Sequence, residues 1–236
     1  MSTEAQVRQD IVAAVCRLDR LGMNRGSTGN ASQRWTHEGR AGMLITPTGM
    51  GAEDMTAQDL VWVGDDGSTW GDWQPSSEWH FHQACYAARP DVHAVLHTHS
   101  THATALACLR RPLPAFHYMV AVAGGDDVPL VPYHVFGSQA LSAAVATALT
   151  VRDACLLANH GLVACGPGLM QAMKVLQEVE SLCEVYLKAL AVGEPVLLTA
   201  PEMAAVQQRF VNYGKSRSRQ PGLATREASL DASADT

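Results

Sequence analysis

Two periods run through the chain, and they separate helices from strands along most of its length. Val7, Ile11, Ala14, Val15, Leu18 and Leu21 recur at helical spacing, which predicts an amphipathic helix over 4–22 ended by Gly22. The polar, glycine-bearing stretch from Gly26 to Ser32 reads as a loop. Met43-Leu44-Ile45 is a short strand stopped by the Thr46-Pro47-Thr48-Gly49 turn, and Leu60–Val63 is another, closed by Gly64-Asp65-Asp66-Gly67. Pro75-Ser76-Ser77 opens a helix that runs to about Arg89, where Pro90 stops it. A strand at 92–97, a helix near 100–110, a strand near 128–131 and a helix at 138–149 follow. Strands at 154–158 and 161–165 precede the longest helix, about 168–192. Its stripe of Leu169, Met173, Leu176, Val179, Cys183, Tyr186 and Leu190 reads as core or subunit contact. A shorter helix runs from Pro201 to Tyr213, and residues 215–236 are polar enough to predict a disordered tail.

Strands alternating with helices give a mixed α/β chain. At 236 residues it is long enough for one well-buried domain, and 47% apolar against 17% charged residues suits a compact enzyme. The net charge of −6 comes without a basic cluster before the tail, which argues against nucleic acid or an anionic membrane as partner. The six cysteines form no Cys-x-x-Cys pair and read as small core residues of a reducing compartment. With no apolar leader and no run of membrane-spanning length, a cytoplasmic location is expected.

The chemistry gathers at strand ends. His97-Thr98-His99 sets two imidazoles two residues apart at the end of an apolar strand, hence on one face. A third, His160, follows the strand at 154–158. Three histidines without an obvious fourth protein ligand are the pattern of a catalytic zinc site with an open position. Thr28-Gly29-Asn30, Thr46-Pro47-Thr48-Gly49 and Ser76-Ser77 carry hydroxyl, amide and glycine donors but no basic residue. Each alone is ordinary turn chemistry, with Ser77 as an N-cap; together they could cradle a phosphate through backbone N–H groups.

In order along the chain, Gly29-Asn30-Ala31-Ser32, Leu44–Gly49, Pro75–His82, His97-Thr98-His99, Pro114–Met119, Asn159-His160-Gly161 and Phe210–Gly214 resemble the class II aldolase/adducin family, most nearly its L-fuculose-1-phosphate aldolase branch. The likeness implies one domain over 1–214, with a central mixed or antiparallel β-sheet flanked by helices. It implies one Zn²⁺ per subunit on His97, His99 and His160, with Glu78 as the acid/base beside it. The substrate phosphate would lie among Gly29, Asn30, Thr48, Gly49, Ser76 and Ser77. The family's C4 homotetramer would bring Tyr118, Phe136 and Tyr213 from a neighbouring subunit, and Tyr118 would give a proton to the aldehyde oxygen.

The expected reaction is retro-aldol cleavage of a ketose 1-phosphate to dihydroxyacetone phosphate and a short aldehyde. An aldolase for 5-deoxy- or 5-methylthio-ribulose 1-phosphate fits the same residues, as does a family decarboxylase, dehydratase or 4-epimerase. In the epimerase branch an aspartate stands where this chain has Glu78, so Glu78 favours carbon–carbon cleavage. A non-catalytic, adducin-like interaction module is the reading from another class, and it has no need of the three histidines. The remaining histidines carry bland expectations: local hydrogen bonds for His80, His82, His93 and His117, exposure for His102, and no role for His37 or His134.

Overall fold

The computed structural model describes residues 3–210. The helix expected first is α1 (Glu4–Arg20), capped by the Thr3 hydroxyl and burying Val7, Ile11, Val15 and Leu18. It ends two residues early, and Leu21, expected in the core, is 52% exposed beyond its end. Eight strands form one sheet: β1 (Asn30–Arg34), β2 (Gly42–Ile45), β3 (Val61–Gly64), β4 (Thr69–Trp70), β5 (Ala94–Thr98), β6 (Leu130–Val131), β7 (Ala154–Leu157) and β8 (Gly161–Gly166). Their spatial order is β4-β3-β2-β1-β5-β8-β7-β6, and every pair is antiparallel except β6 with β7. The chain is therefore an α/β fold on a mixed, mostly antiparallel sheet.

Alternation along the strands splits the core into two layers. Ala31, Leu44, Leu96, Leu156 and Leu162 face α1, α3 (Thr101–Cys108) and α5 (Leu169–Leu190), the last supplying Met173, Leu176, Val179, Cys183 and Tyr186. Met43, Ile45, Val95, Leu157 and Val163 face α2 (Trp79–Ala88) and α4 (Gln139–Leu149). A final helix, α6 (Ala200–Phe210), packs through Met203. The expected continuation to Tyr213 and the tail at 215–236 lie outside the described residues. All six cysteines are free, and Cys108, unlike the buried Cys85, Cys155, Cys165 and Cys183, is exposed.

Three local readings are corrected. Residues 30–34 are a strand, not part of a loop: β1 pairs with β2 on one side and β5 on the other. Residues 75–77 do not begin the helix. The Ser76 N–H donates to the Thr46 carbonyl and the Thr48 N–H to that of Gln74, both at 3.0 Å, which draws the segment into an extended bridge with 46–48. Helix α2 thus starts at Trp79 with Glu78 at its N-cap, a position expected for Ser77. The loop before β6 also contains a 3₁₀ turn, Tyr118–Ala123.

Candidate metal and carboxylate site

Three neighbouring sheet features bring the histidines together. His97 is the last residue of β5 paired on both sides, opposite Asn30 of β1 and Val163 of β8. His99 follows two residues later on the same face. His160 closes the β7–β8 turn: its N–H donates to the Leu157 carbonyl at 3.0 Å, and Asn159 just before it is left-handed at φ 55°. Asparagine tolerates that conformation better than most residues. Gly161 then permits close approach, because a Cβ there would stand 2.4 Å from the Thr98 carbonyl oxygen and 3.0 Å from His99 Cδ2.

The three rings lie edge-on to one another, with centroid separations of 4.9 Å (His97–His99), 4.8 Å (His97–His160) and 4.9 Å (His99–His160). One ligand nitrogen from each falls within 4.8 Å of the others. His97 Nδ1 lies 3.0 Å from the Leu162 carbonyl, an acceptor only, so Nδ1 carries the proton and Nε2 is bare. That bare nitrogen faces His99 Nε2 at 3.0 Å and the Glu78 carboxylate at 3.2 Å. Glu78 Oε1 is 3.4 Å from His160 Nε2 and has no hydrogen-bond partner.

Burial pushes His97 down to about 3, helped by the His99 ring. It pushes His160 down to about 4, with His97 adding and the Glu78 charge opposing. His99 is lowered by burial too, against the same opposing charge. Neutral imidazoles and a carboxylate gathered around one small volume are a donor set suited to a cation. Nitrogen ligands of a tetrahedral zinc stand about 3.4 Å apart at Zn–N distances of roughly 2.0–2.1 Å. Here His97 and His99 Nε2 are 3.0 Å apart, and all three ligand atoms lie within 4.8 Å of one another. The residues fit a divalent transition metal, and the Leu162 carbonyl fixes the His97 tautomer as outer partners of such ligands do.

Above the cluster opens a cavity of about 320 Å³. Gly29, Asn30, Thr48, Gly49, Ser76 and Ser77, the six residues expected around a phosphate, all line it, together with Glu78, His99 and His160. Among the described residues no lysine or arginine does. The bridge between segments 46–48 and 74–76 is what sets two of these loops side by side.

Asn30 turns its side chain away from the cavity it lines. Its amide nitrogen donates to Glu78 Oε2 at 3.1 Å and its oxygen meets His82 Nε2 at 2.6 Å, so the side chain is committed inward and only 5% exposed. Phe136, expected from a neighbouring subunit, lines this chain's own cavity beside Tyr133 and His134, the latter given no role beforehand. Tyr118 is 51% exposed and does not line the cavity. Tyr213 lies outside the described residues. His82, expected to bond locally, instead reaches Ser32 and Asn30 of β1, 50 and 52 positions away in the chain. His102 is partly exposed and pairs with Glu180 at 2.9 Å, while both Glu180 oxygens accept N–H groups at the start of α3.

Comparison with known proteins agrees with this geometry. Residues 9–187 match the class II aldolase and adducin N-terminal domain. A 5-methylthioribulose-1-phosphate/5-deoxyribulose-1-phosphate aldolase of Rhodospirillum rubrum is 45% identical over 88% of this chain and 92% of its own length. An L-fuculose phosphate aldolase of Escherichia coli is 44% identical over 89% of this chain and 96% of its own. The solved structure of an L-fuculose 1-phosphate aldolase superposes with a TM-score of 0.83 at 38% identity, covering 89% and 98% of the two chains.

Proposed function

The chain belongs to the class II aldolase and adducin family, and we propose that it cleaves a ketose 1-phosphate, by a zinc-dependent retro-aldol reaction, to dihydroxyacetone phosphate and a short aldehyde. The observation that carries this reading is the buried Glu78 carboxylate beside a hydroxyl- and amide-edged cavity, with Oε2 3.2 Å from His97 Nε2 and the unpartnered Oε1 3.4 Å from His160 Nε2. An interaction module gains nothing from so costly a burial.

His97, His99 and His160 would hold the metal, which when bound supplies Lewis-acid polarisation of the substrate's carbonyl and hydroxyl oxygens. In cleavage the C4 hydroxyl loses its proton, the C3–C4 bond breaks to release the aldehyde, and C3 takes up a proton. Glu78 Oε1 is the free carboxylate atom and moves the proton at C3. Tyr118, brought by a neighbouring subunit of a homotetramer, exchanges the proton on the aldehyde oxygen. Thr48, Gly49, Ser76 and Ser77 hold the phosphate with neutral donors, and the backbone of Gly29 and Asn30 closes that end. Such a protein works in the cytoplasm, where sugar phosphates are found.

The substrates named for the two relatives, at 45% and 44% identity, differ in their aldehyde half. Phe136 and Tyr133 beside the cavity favour an apolar aldehyde, which supports a 5-deoxy or 5-methylthio sugar as the second reading. A panel of ketose 1-phosphates assayed for dihydroxyacetone phosphate release tests both. Turnover of none of them, by metal-loaded protein, would overturn the proposal.

A further inference from the structure

Behind Glu78 runs a chain of buried hydrogen bonds that the reaction as described does not use. Glu78, His82 and Tyr86 stand four residues apart at the start of α2 and along it, and Asn30 and Ser32 stand two apart on β1. Four residues of helix rise about 6 Å and two residues of strand about 6.6 Å, so the two rows stay in step. They interleave: Asn30 Nδ2 to Glu78 Oε2 at 3.1 Å, His82 Nε2 to Asn30 Oδ1 at 2.6 Å, Ser32 Oγ to His82 Nδ1 at 2.7 Å, and Tyr86 OH to Ser32 Oγ at 2.7 Å. Every member is buried, His82 and Ser32 completely.

Acceptor chemistry sets the direction of each link. A carboxylate only accepts, so the Asn30 amide nitrogen must face Glu78 and its oxygen must face His82. That oxygen also only accepts, so His82 Nε2 carries the proton. Burial keeps the ring neutral, which leaves Nδ1 bare to accept the Ser32 hydroxyl proton. Ser32 Oγ in turn accepts from Tyr86.

We infer that His82 is a positioning residue for Glu78, acting through Asn30: it locks the amide so that Oε2 is held by Asn30 and Oε1 alone is left without a hydrogen bond, 3.4 Å from His160 Nε2. The inference rests on the reading of Glu78 as the proton-transferring group. A buried neutral imidazole has one donor and one acceptor nitrogen, and each needs a partner. Here both nitrogens are spent, and the row ends on the carboxylate.

The test compares His82→Leu, which removes both links, with His82→Gln, whose amide can donate to Asn30 and whose oxygen can accept from Ser32. In the metal-loaded protein, His82→Leu should lower kcat by about 10–100-fold, as loss of such outer partners does. KM and the metal bound per chain should stay near wild type, and His82→Gln should recover most of the rate. Nitrogen-detected NMR of labelled histidines in the native chain should find His82 as the Nε2–H tautomer. Equal losses in the two variants, full activity in His82→Leu, or the Nδ1–H tautomer would each overturn the inference. If His82→Leu does not fold, the tautomer and Ser32→Ala, expected to fall in kcat with KM held, decide it. Glu78→Gln in the same assay separates the two levels. Retained activity there removes the reading of Glu78 itself, whereas its loss beside a fully active His82→Leu removes only the positioning role.

Discussion

Replacing Glu78 with glutamine keeps the shape of the side chain and takes away its ability to hold a transferable proton. The carboxamide oxygen can still accept from Asn30 Nδ2, now at 3.1 Å from Oε2, while its NH₂ takes the place of the unpartnered Oε1. A hydrogen bond to a charged group is worth about 1.5–3 kcal/mol and a neutral one about 0.5–1.5, so that link weakens by roughly 1 kcal/mol. Relief from burying a carboxylate that is only 7% exposed acts in the opposite direction. The fold should therefore change by no more than about 1 kcal/mol, within a few degrees of Tm. The rate should fall far more: about 10²–10⁴-fold in kcat for loss of a positioned acid/base. That corresponds to about 3–5 kcal/mol of barrier at 1.36 kcal/mol per tenfold. Dihydroxyacetone phosphate release, coupled to NADH oxidation, gives kcat and KM; metal analysis and thermal unfolding of the same sample control for the site and the fold. A kcat within about threefold of wild type, with metal and Tm unchanged, would refute the role of Glu78.

Gly161→Ala places a Cβ 2.4 Å from the Thr98 carbonyl oxygen, between His97 and His99, so metal per chain should drop severely; full occupancy would contradict the three-histidine assignment. Ser76→Ala should weaken the phosphorylated substrate by about 0.5–1.5 kcal/mol, read in KM, and equal kcat/KM for phosphorylated and free sugars would remove the phosphate cradle. The metal-stripped protein should lose stability as pH falls below about 6.5. There the unfolded chain protonates its histidines while folded His97 stays neutral down to about 3 and His160 to about 4, so the unfolded state binds more protons. Urea titrations that are flat from pH 7 to 5 would exclude this. Co-assembly of Glu78→Gln with Tyr118→Phe should restore part of the activity if Tyr118 serves a neighbour's site; no recovery despite demonstrated subunit exchange would place it elsewhere.

Much was legible before any coordinates. The helix at Glu4–Arg20, the apolar strands around 94–98 and 154–166, and the long α5 all announce themselves by period, because their buried faces are apolar. The His97, His99 and His160 set and the order of the loops around it pointed to the family. What hydropathy could not show was β1. Its inward residues on the α2 side, Asn30 and Ser32, are polar, and they are buried against His82 and Tyr86 rather than against hydrocarbon. A polar strand satisfied by hydrogen bonds looks like a loop when only apolar alternation is counted. For the same reason the partners of His82 were expected to be local rather than on β1. Sequence alone determined which segments exclude water and which side chains can bind a metal. Tertiary structure decided where the polar side chains spend their hydrogen bonds, because those partners come from strands and helices some fifty residues apart and no local pattern encodes them.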